Sequence, residues 1–242
     1  MRMYIITLKL NDFFVFSSHL TFSEIKGVSY TVYRPSQYIH NYPLMYALAD
    51  LLYVSLASPT LTVDEIEYKD LDEIEKILYV YPARPRSIRL MRLLGNIRGE
   101  GFAEPSEAHP KTIYPWHVAH IVFTPGSIFE TVLVTYEDDI KLPKTIRIGV
   151  KRQGVFTVEY HEADIIGFSD GFSDPINLGD VVRRGLRPDS FTKLLETRKK
   201  RKNVPGSNMI VIGEYRRRML SIIKANINGE EIVFRLPLLG RP

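Results

Sequence analysis

Within the stretch from Leu142 to Tyr160, an apolar residue returns at every second position from Ile146 onward, with a single interruption. Ile146, Ile148 and Val150 alternate with Thr145, Arg147 and Gly149; Phe156, Val158 and Tyr160 alternate with Val155, Thr157 and Glu159. A period of two is the signature of strands, so this stretch predicts two of them. The interruption, Lys151-Arg152-Gln153-Gly154, is short, polar and ends in glycine, which suits a hairpin loop because glycine takes positive φ without a Cβ penalty. Lys144 and Arg147 add to Lys151 and Arg152, so the hairpin offers four cations to water or to a polyanion. Read by itself it is equally an edge hairpin whose basic side chains discourage pairing with other chains.

The same short-strand grammar recurs along the chain. Met3 to Leu10, Val118 to Phe123, Ile128 to Tyr136, Met209 to Ile212, Met219 to Asn226 and Glu231 to Leu236 carry strand patterns. Asn228-Gly229 predicts the turn between the last two. Ser17 to Pro35 is a polar and aromatic excursion without an assignable period, and Gly99 to Pro115 reads as a loop. Two prolines in Tyr-Pro-Ala-Arg-Pro (Tyr81 to Pro85) forbid helix and favour an extended path.

Helical signals are fewer. Asn41 stands as a cap, Pro43 fits the first turn, and Leu44, Ala47, Leu48, Leu51 and Leu52 follow the three-four spacing of a buried face. Asp70 and Glu73 have capping-box spacing ahead of a second, shorter helix. Pro188 with Asp189 and Ser190 predicts another, carrying Phe191, Leu194 and Leu195. Strands in hairpin order with two helices near the front predict an α+β fold around an antiparallel sheet.

Charge narrows the function. The 242 residues hold 32 Lys and Arg against 28 Asp and Glu, but the signs are segregated. Leu61 to Glu75 contains seven acids, whereas Asp180 to Arg218 contains twelve cations and four acids. One surface is expected to be acidic and another strongly basic, the footprint of a phosphate-backbone binder. Arg84, Arg86, Arg89, Arg92 and Arg98 form a further basic cluster, and Arg198-Lys199-Lys200-Arg201-Lys202 is an unbroken run. Tyr38, His40 and Asn41 stand at the start of the first helix, where backbone N–H groups favour an anion.

Several chemistries lack their residues. There is no cysteine, which removes disulfides, thiolate nucleophiles and Cys-based zinc sites. No G-x-S-x-G elbow and no glycine-rich phosphate loop occurs. His117 and His120 lie three apart in a segment read as extended, on opposite faces, so no metal and no cofactor is expected. No apolar run is long enough to span a membrane, and the start does not read as a secretory signal, so a cytoplasmic place is expected. One enzymatic route stays open: metal-independent RNA cleavage, with His40 and Tyr38 as base and acid and the basic hairpin on the phosphate.

Five blocks in order carry a resemblance: the N-terminal strand, Tyr-Ile-His-Asn-Tyr-Pro-Leu-Met-Tyr-Ala-Leu (Tyr38 to Leu48), Tyr81 to Pro85, Ile-Arg-Ile-Gly-Val-Lys-Arg (Ile146 to Arg152) and Ser-Asp-Pro-Ile-Asn-Leu-Gly-Asp (Ser173 to Asp180). Together they resemble the Csc-one family, the Cas-five group of small RAMP-superfamily subunits in type I-D CRISPR effector (Cascade) complexes. The resemblance implies one RAMP-type domain over residues 1 to 242, with a ferredoxin-like, RRM-type sheet, a thumb-like hairpin inserted around 142 to 160 and a β-rich C-terminal part. It implies a non-catalytic, RNA-binding subunit that holds the 5′ handle of the crRNA and contacts the backbone and large subunits, with target DNA bound by the whole complex. It places Lys144, Arg147, Lys151 and Arg152 in the thumb and Tyr38, His40 and Asn41 at the first helix. Arg198, Lys199, Lys200, Arg201 and Lys202 lie outside the matching blocks and join the RNA-binding set on charge alone. The RRM base-stacking aromatics are not recognisable. Some relatives in the Cas-five group cut precursor RNA, which keeps an endoribonuclease as the alternative.

Overall fold

The structure, a computed structural model, describes residues 1–15, 19–25, 28–50, 71–96, 117–137, 140–149, 154–186, 190–197 and 210–238. The chain opens with β1 (Arg2–Leu10), β2 (His19–Ile25), β3 (Val28–Arg34), α1 (Asn41–Asp50), α2 (Leu71–Ile77) and β4 (Leu78–Val80). It continues through β5 (Arg84–Ser87), β6 (Leu90–Asn96), β7 (His117–Phe123), β8 (Ile128–Thr135), β9 (Thr145–Ile148) and β10 (Gly154–Glu162). The last part is β11 (Asp164–Phe172), β12 (Ile176–Asn177), α3 (Leu178–Arg183), β13 (Ser190–Thr197), β14 (Ile210–Ile227) and β15 (Glu230–Leu236). Strands dominate and helices are few, an α+β fold. Among the described residues one strand pair, β3 with β7, is parallel and the rest are antiparallel.

The principal sheet has the order β4-β8-β1-β10-β9, with β5 also paired to β8. Its central strand β1 buries neighbours in sequence, Ile5 and Ile6, so both faces of the sheet are covered there. The β9–β10 hairpin keeps the expected alternation: Ile146, Ile148, Phe156 and Val158 are buried while Thr145, Arg147 and Glu159 are exposed. It is the rim of this sheet. Its loop end closes over Phe14, whose ring meets Phe156 edge-on at 5.1 Å and stacks near Phe123 at 6.1 Å. A methyl group at Gly154 would stand 2.3 Å from Phe14 Cδ2, so this close approach demands glycine.

α1 buries Leu44, Met45, Leu48 and Ala49 on one face and lies against α2, β4 and β9. Both α1 and α2 fall between β1 and β4 in the chain. Between β8 and β10 the described residues hold the strand β9 rather than a helix.

β14 organises a second sheet. Its 18 residues pair with β11, β12, β13 and β15, and Ile223, Ala225, Phe234 and Leu236 continue the core of the principal sheet. Asn228 at φ 54° and Gly229 at φ 85° make the left-handed turn into β15. The third sheet, β2-β3-β7-β6, includes His19–Ile25 and Val28–Arg34 from the stretch that the sequence left unassigned. Two expectations are corrected. Residues 190–197 form β13 and not a helix, and where two strands were expected, at 209–212 and 219–226, one strand, β14, runs from Ile210 to Ile227. The loop expected over Gly99 to Pro115 lies outside the described residues.

Candidate nucleic-acid interface

Register places the exposed cations of the principal sheet. Arg147 lies opposite Val155, Thr145 opposite Thr157, and Thr157 opposite Lys9 of β1. Directly opposed residues of an antiparallel pair share a face, so Lys9, Thr145, Arg147 and Thr157 occupy one surface about 10 Å across three strands. Asn11 Nδ2 donates to Thr157 Oγ1 at 2.7 Å at its edge. Lys144 is exposed at the entry to β9, held by its own carbonyl accepting from Val158 N–H at 2.9 Å and by Tyr160 OH donating to the Pro143 carbonyl at 2.6 Å. Among the described residues Lys9, Lys144 and Arg147 make no ion pair. Glu159 is the acid on this face, 3.9 Å from His161 Nε2. Lys151 and Arg152, and the run from Arg198 to Lys202, lie outside the described residues.

The N-terminus of α1 has a different use. Asn41 is fully buried; its Nδ2 donates to Asp180 Oδ2 at 2.7 Å, and its Oδ1 accepts from Asn177 Nδ2 at 3.0 Å. Asp180, also fully buried, accepts from Tyr42 OH at 2.8 Å, Tyr79 OH at 2.6 Å and Arg183 Nη2 at 2.9 Å. His40 is buried too, and the loss of solvent lowers its pKa to about 4, so the imidazole is neutral near pH 7. Asn41 and His40, expected to face an anion, are therefore turned inward: α1 begins inside the core, and its polar head ties it to α3. Tyr38 remains half-buried, with its phenol pKa raised by burial, then by the charges of Glu214 and Asp174.

The expected separation of acidic and basic surfaces also fails where it can be followed. Glu75 comes from the acidic segment and Arg183 and Arg184 from the basic one, yet both guanidinium groups hold the buried Glu75 carboxylate, Arg184 Nη2 at 2.9 Å. Arg183 reaches Asp72 as well, at 3.0 Å. Burial pushes the Glu75 pKa up while Arg183 and Arg184 pull it down. Two members of the arginine cluster are likewise spent: Arg84 pairs with Asp174 at 2.5 Å, and Arg86 with Glu130 at 2.8 Å and with Glu230. Arg89 and Arg92, by contrast, are exposed without an ion pair among the described residues, and Arg98 lies outside them.

Asp180 and Glu75 escaped the sequence reading, the former although it closes the block Ser173 to Asp180. Its signal was position: an acid two residues into a six-residue helix, with tyrosines at 42 and 79 that have no other reason to be near it. Among the described residues no group of three or more His, Asp or Glu is arranged to hold a metal, and no helix is long and apolar enough to cross a membrane.

No curated protein matches the chain. A family model described as type I-D CRISPR-associated protein Cas5/Csc1 matches residues 1–188, which takes in the principal sheet, the Asp180 network and the β9–β10 face and leaves β13, β14 and β15 beyond it. The chain thus belongs to the type I-D CRISPR Cas5/Csc1 family and is a subunit of that effector system.

Proposed function

We propose that the chain is a non-catalytic RNA-binding subunit, which grips the 5′ handle of the crRNA through backbone phosphates while other faces meet the backbone and large subunits. The observation that carries this reading is the surface shared by Lys9 and Arg147, with Lys144 exposed at the entry to the same strand: three exposed cations without an acidic partner among the described residues, in the stretch of sequence that also holds Lys151 and Arg152. Phosphate binding needs cations whose charge is not already neutralised, and this face supplies them. The order β4-β8-β1-β10, antiparallel throughout, supports an RRM-type sheet with a strand in place of its second helix. The thumb-like role stays with the hairpin around 142 to 160, and the β13–β14 pair is a second projection that carries cations. The ends of β13 and β14 pair at Thr197 and Ile210 and bracket the run from Arg198 to Lys202.

Cleavage is the less favoured reading because its base, His40, is buried and bound into the interior. In fluorescence polarisation with handle RNA, the double variant Lys144→Glu/Arg147→Glu is expected to bind at least tenfold more weakly. Its salt slope should flatten by about 1.4, the share of two phosphate contacts to a single strand. Unchanged affinity and slope would remove this face from the site. Repeat RNA incubated with the protein in EDTA should stay intact, and cleavage would restore the nuclease reading.

A further inference from the structure

β14 does not run straight. Ser173 N–H donates to the Tyr215 carbonyl at 2.9 Å, and the next residue, Asp174, donates its N–H to the Arg235 carbonyl at 2.8 Å. Arg235 lies opposite Ile222 in the β14–β15 ladder. Ser173 thus bonds to β14 itself and Asp174 to β15 opposite Ile222, seven residues further along β14, a span of about 23 Å in a flat strand. The strand bends between Tyr215 and Ile222, where its register with β11 also shifts, from Ser169–Leu220 to Gly171–Arg217.

In the angle of this bend lies a cleft of about 300 Å³, lined by Arg84, Phe172, Asp174, Glu214, Val233 and Arg235 among others. That is room enough for a small planar ligand. Some of its polar groups are committed. Arg84 holds Asp174, donates to the Val233 carbonyl at 3.2 Å and lies 3.8 Å above the Phe234 ring; the second oxygen of Asp174 accepts from Arg235 N–H at 2.6 Å. Three groups are left open. The side chains of Glu214 and Arg235 make no ion pair or hydrogen bond among the described residues, and Phe172 is 50% exposed.

The chemistry of these groups selects the ligand. Glu214 and Asp174 repel a phosphate, and Arg84 and Arg235 repel an ammonium or guanidinium. A neutral ring with donors along one edge and acceptors along another meets both charges and stacks on the phenyl face. Guanine has this pattern: adjacent N1–H and N2–H₂ for a carboxylate, and O6 and N7 for a guanidinium. We propose that the cleft takes one unpaired guanine of the bound RNA, with Glu214 accepting from N1–H and N2–H₂, Arg235 donating to O6 or N7, and Phe172 stacking on the ring. The proposal rests on the RNA-binding reading above and adds base selection to a grip that otherwise reads only backbone.

The test uses fluorescence polarisation with three uridine octamers: one unsubstituted, one with a single guanosine and one with inosine at the same position. The guanosine octamer should bind at least fivefold more tightly than the unsubstituted one, with inosine, which lacks the N2 amine, in between. Glu214→Gln should erase the preference and leave affinity for the unsubstituted octamer unchanged; Phe172→Ala should weaken the guanosine octamer alone. A melting temperature close to that of the parent protein shows that each variant is folded. Equal affinity for all three RNAs, as when the cleft serves a side chain of a neighbouring subunit, overturns the pocket and spares the backbone grip. A preference that survives Glu214→Gln overturns it as well. If no octamer binds, the RNA-binding reading falls and the pocket with it.

Discussion

Two regions of the molecule look alike in sequence and opposite in the fold. Around Asp180, acids and arginines interlock out of solvent: Asp180 has four donors, and Glu75 has two guanidinium groups. On β9 and at its entry, Arg147 and Lys144 stand in solvent with no ion pair among the described residues. Arginine density therefore separates nothing here; the state of the pairing does. Charges taken from water must be matched inside the protein, and once matched they have little left for a ligand. Charges left in water are held weakly, so exchanging a water or counterion for a phosphate costs little.

The contrast breaks most visibly at Asp180. Asp180→Ala should destabilise the protein by about 3–5 kcal/mol in denaturant melts, because four donors, the buried Asn41 and Tyr79 among them, lose their acceptor at once. A loss under about 1 kcal/mol would mean that the network is not buried in solution.

His40 tests the same interior with pH. Burial lowers its pKa from 6.5 to about 4, so between those values the unfolded chain binds a proton that the folded one refuses. The stability it protects is complete above pH 6.5 and is lost as pH falls toward 4, on the order of 3 kcal/mol in all. In His40→Leu the acid-side slope of stability against pH should become shallower across this window. A slope equal to that of the parent protein would place His40 in solvent, where an anion can reach it.

The smallest effect sharpens the other side. Lys144→Ala and Arg147→Ala should each change stability by less than about 0.5 kcal/mol, since neither side chain has an intramolecular partner to abandon. Calorimetry that showed a loss near that of Asp180→Ala would erase the distinction between the regions.

Much of the fold was legible because its signals are local. The hairpin of β9 and β10, helix α1, the short α2 and the Asn228-Gly229 turn all stand where period, proline and glycine put them. The failures are instructive. In β13 a register shift between Lys193 and Leu195 interrupts the period of two, which left Phe191, Leu194 and Leu195 at a helix-like spacing. In β14 the run Arg216-Arg217-Arg218 looks like a break between two strands, and it instead marks the bend that opens the cleft. The lining of that cleft comes from β5, β11, β14, β15 and the segment after β11, so no window of sequence contains it.

The sequence by itself determined where the chain extends, where it coils and how its charges are strung, since each of these depends on neighbours a few positions away. The tertiary structure alone decided which charges are spent and which stay open. Arg183 meets Glu75 across 108 positions and Arg84 meets Asp174 across 90, and only folding brings such pairs close enough for opposite charges to cancel.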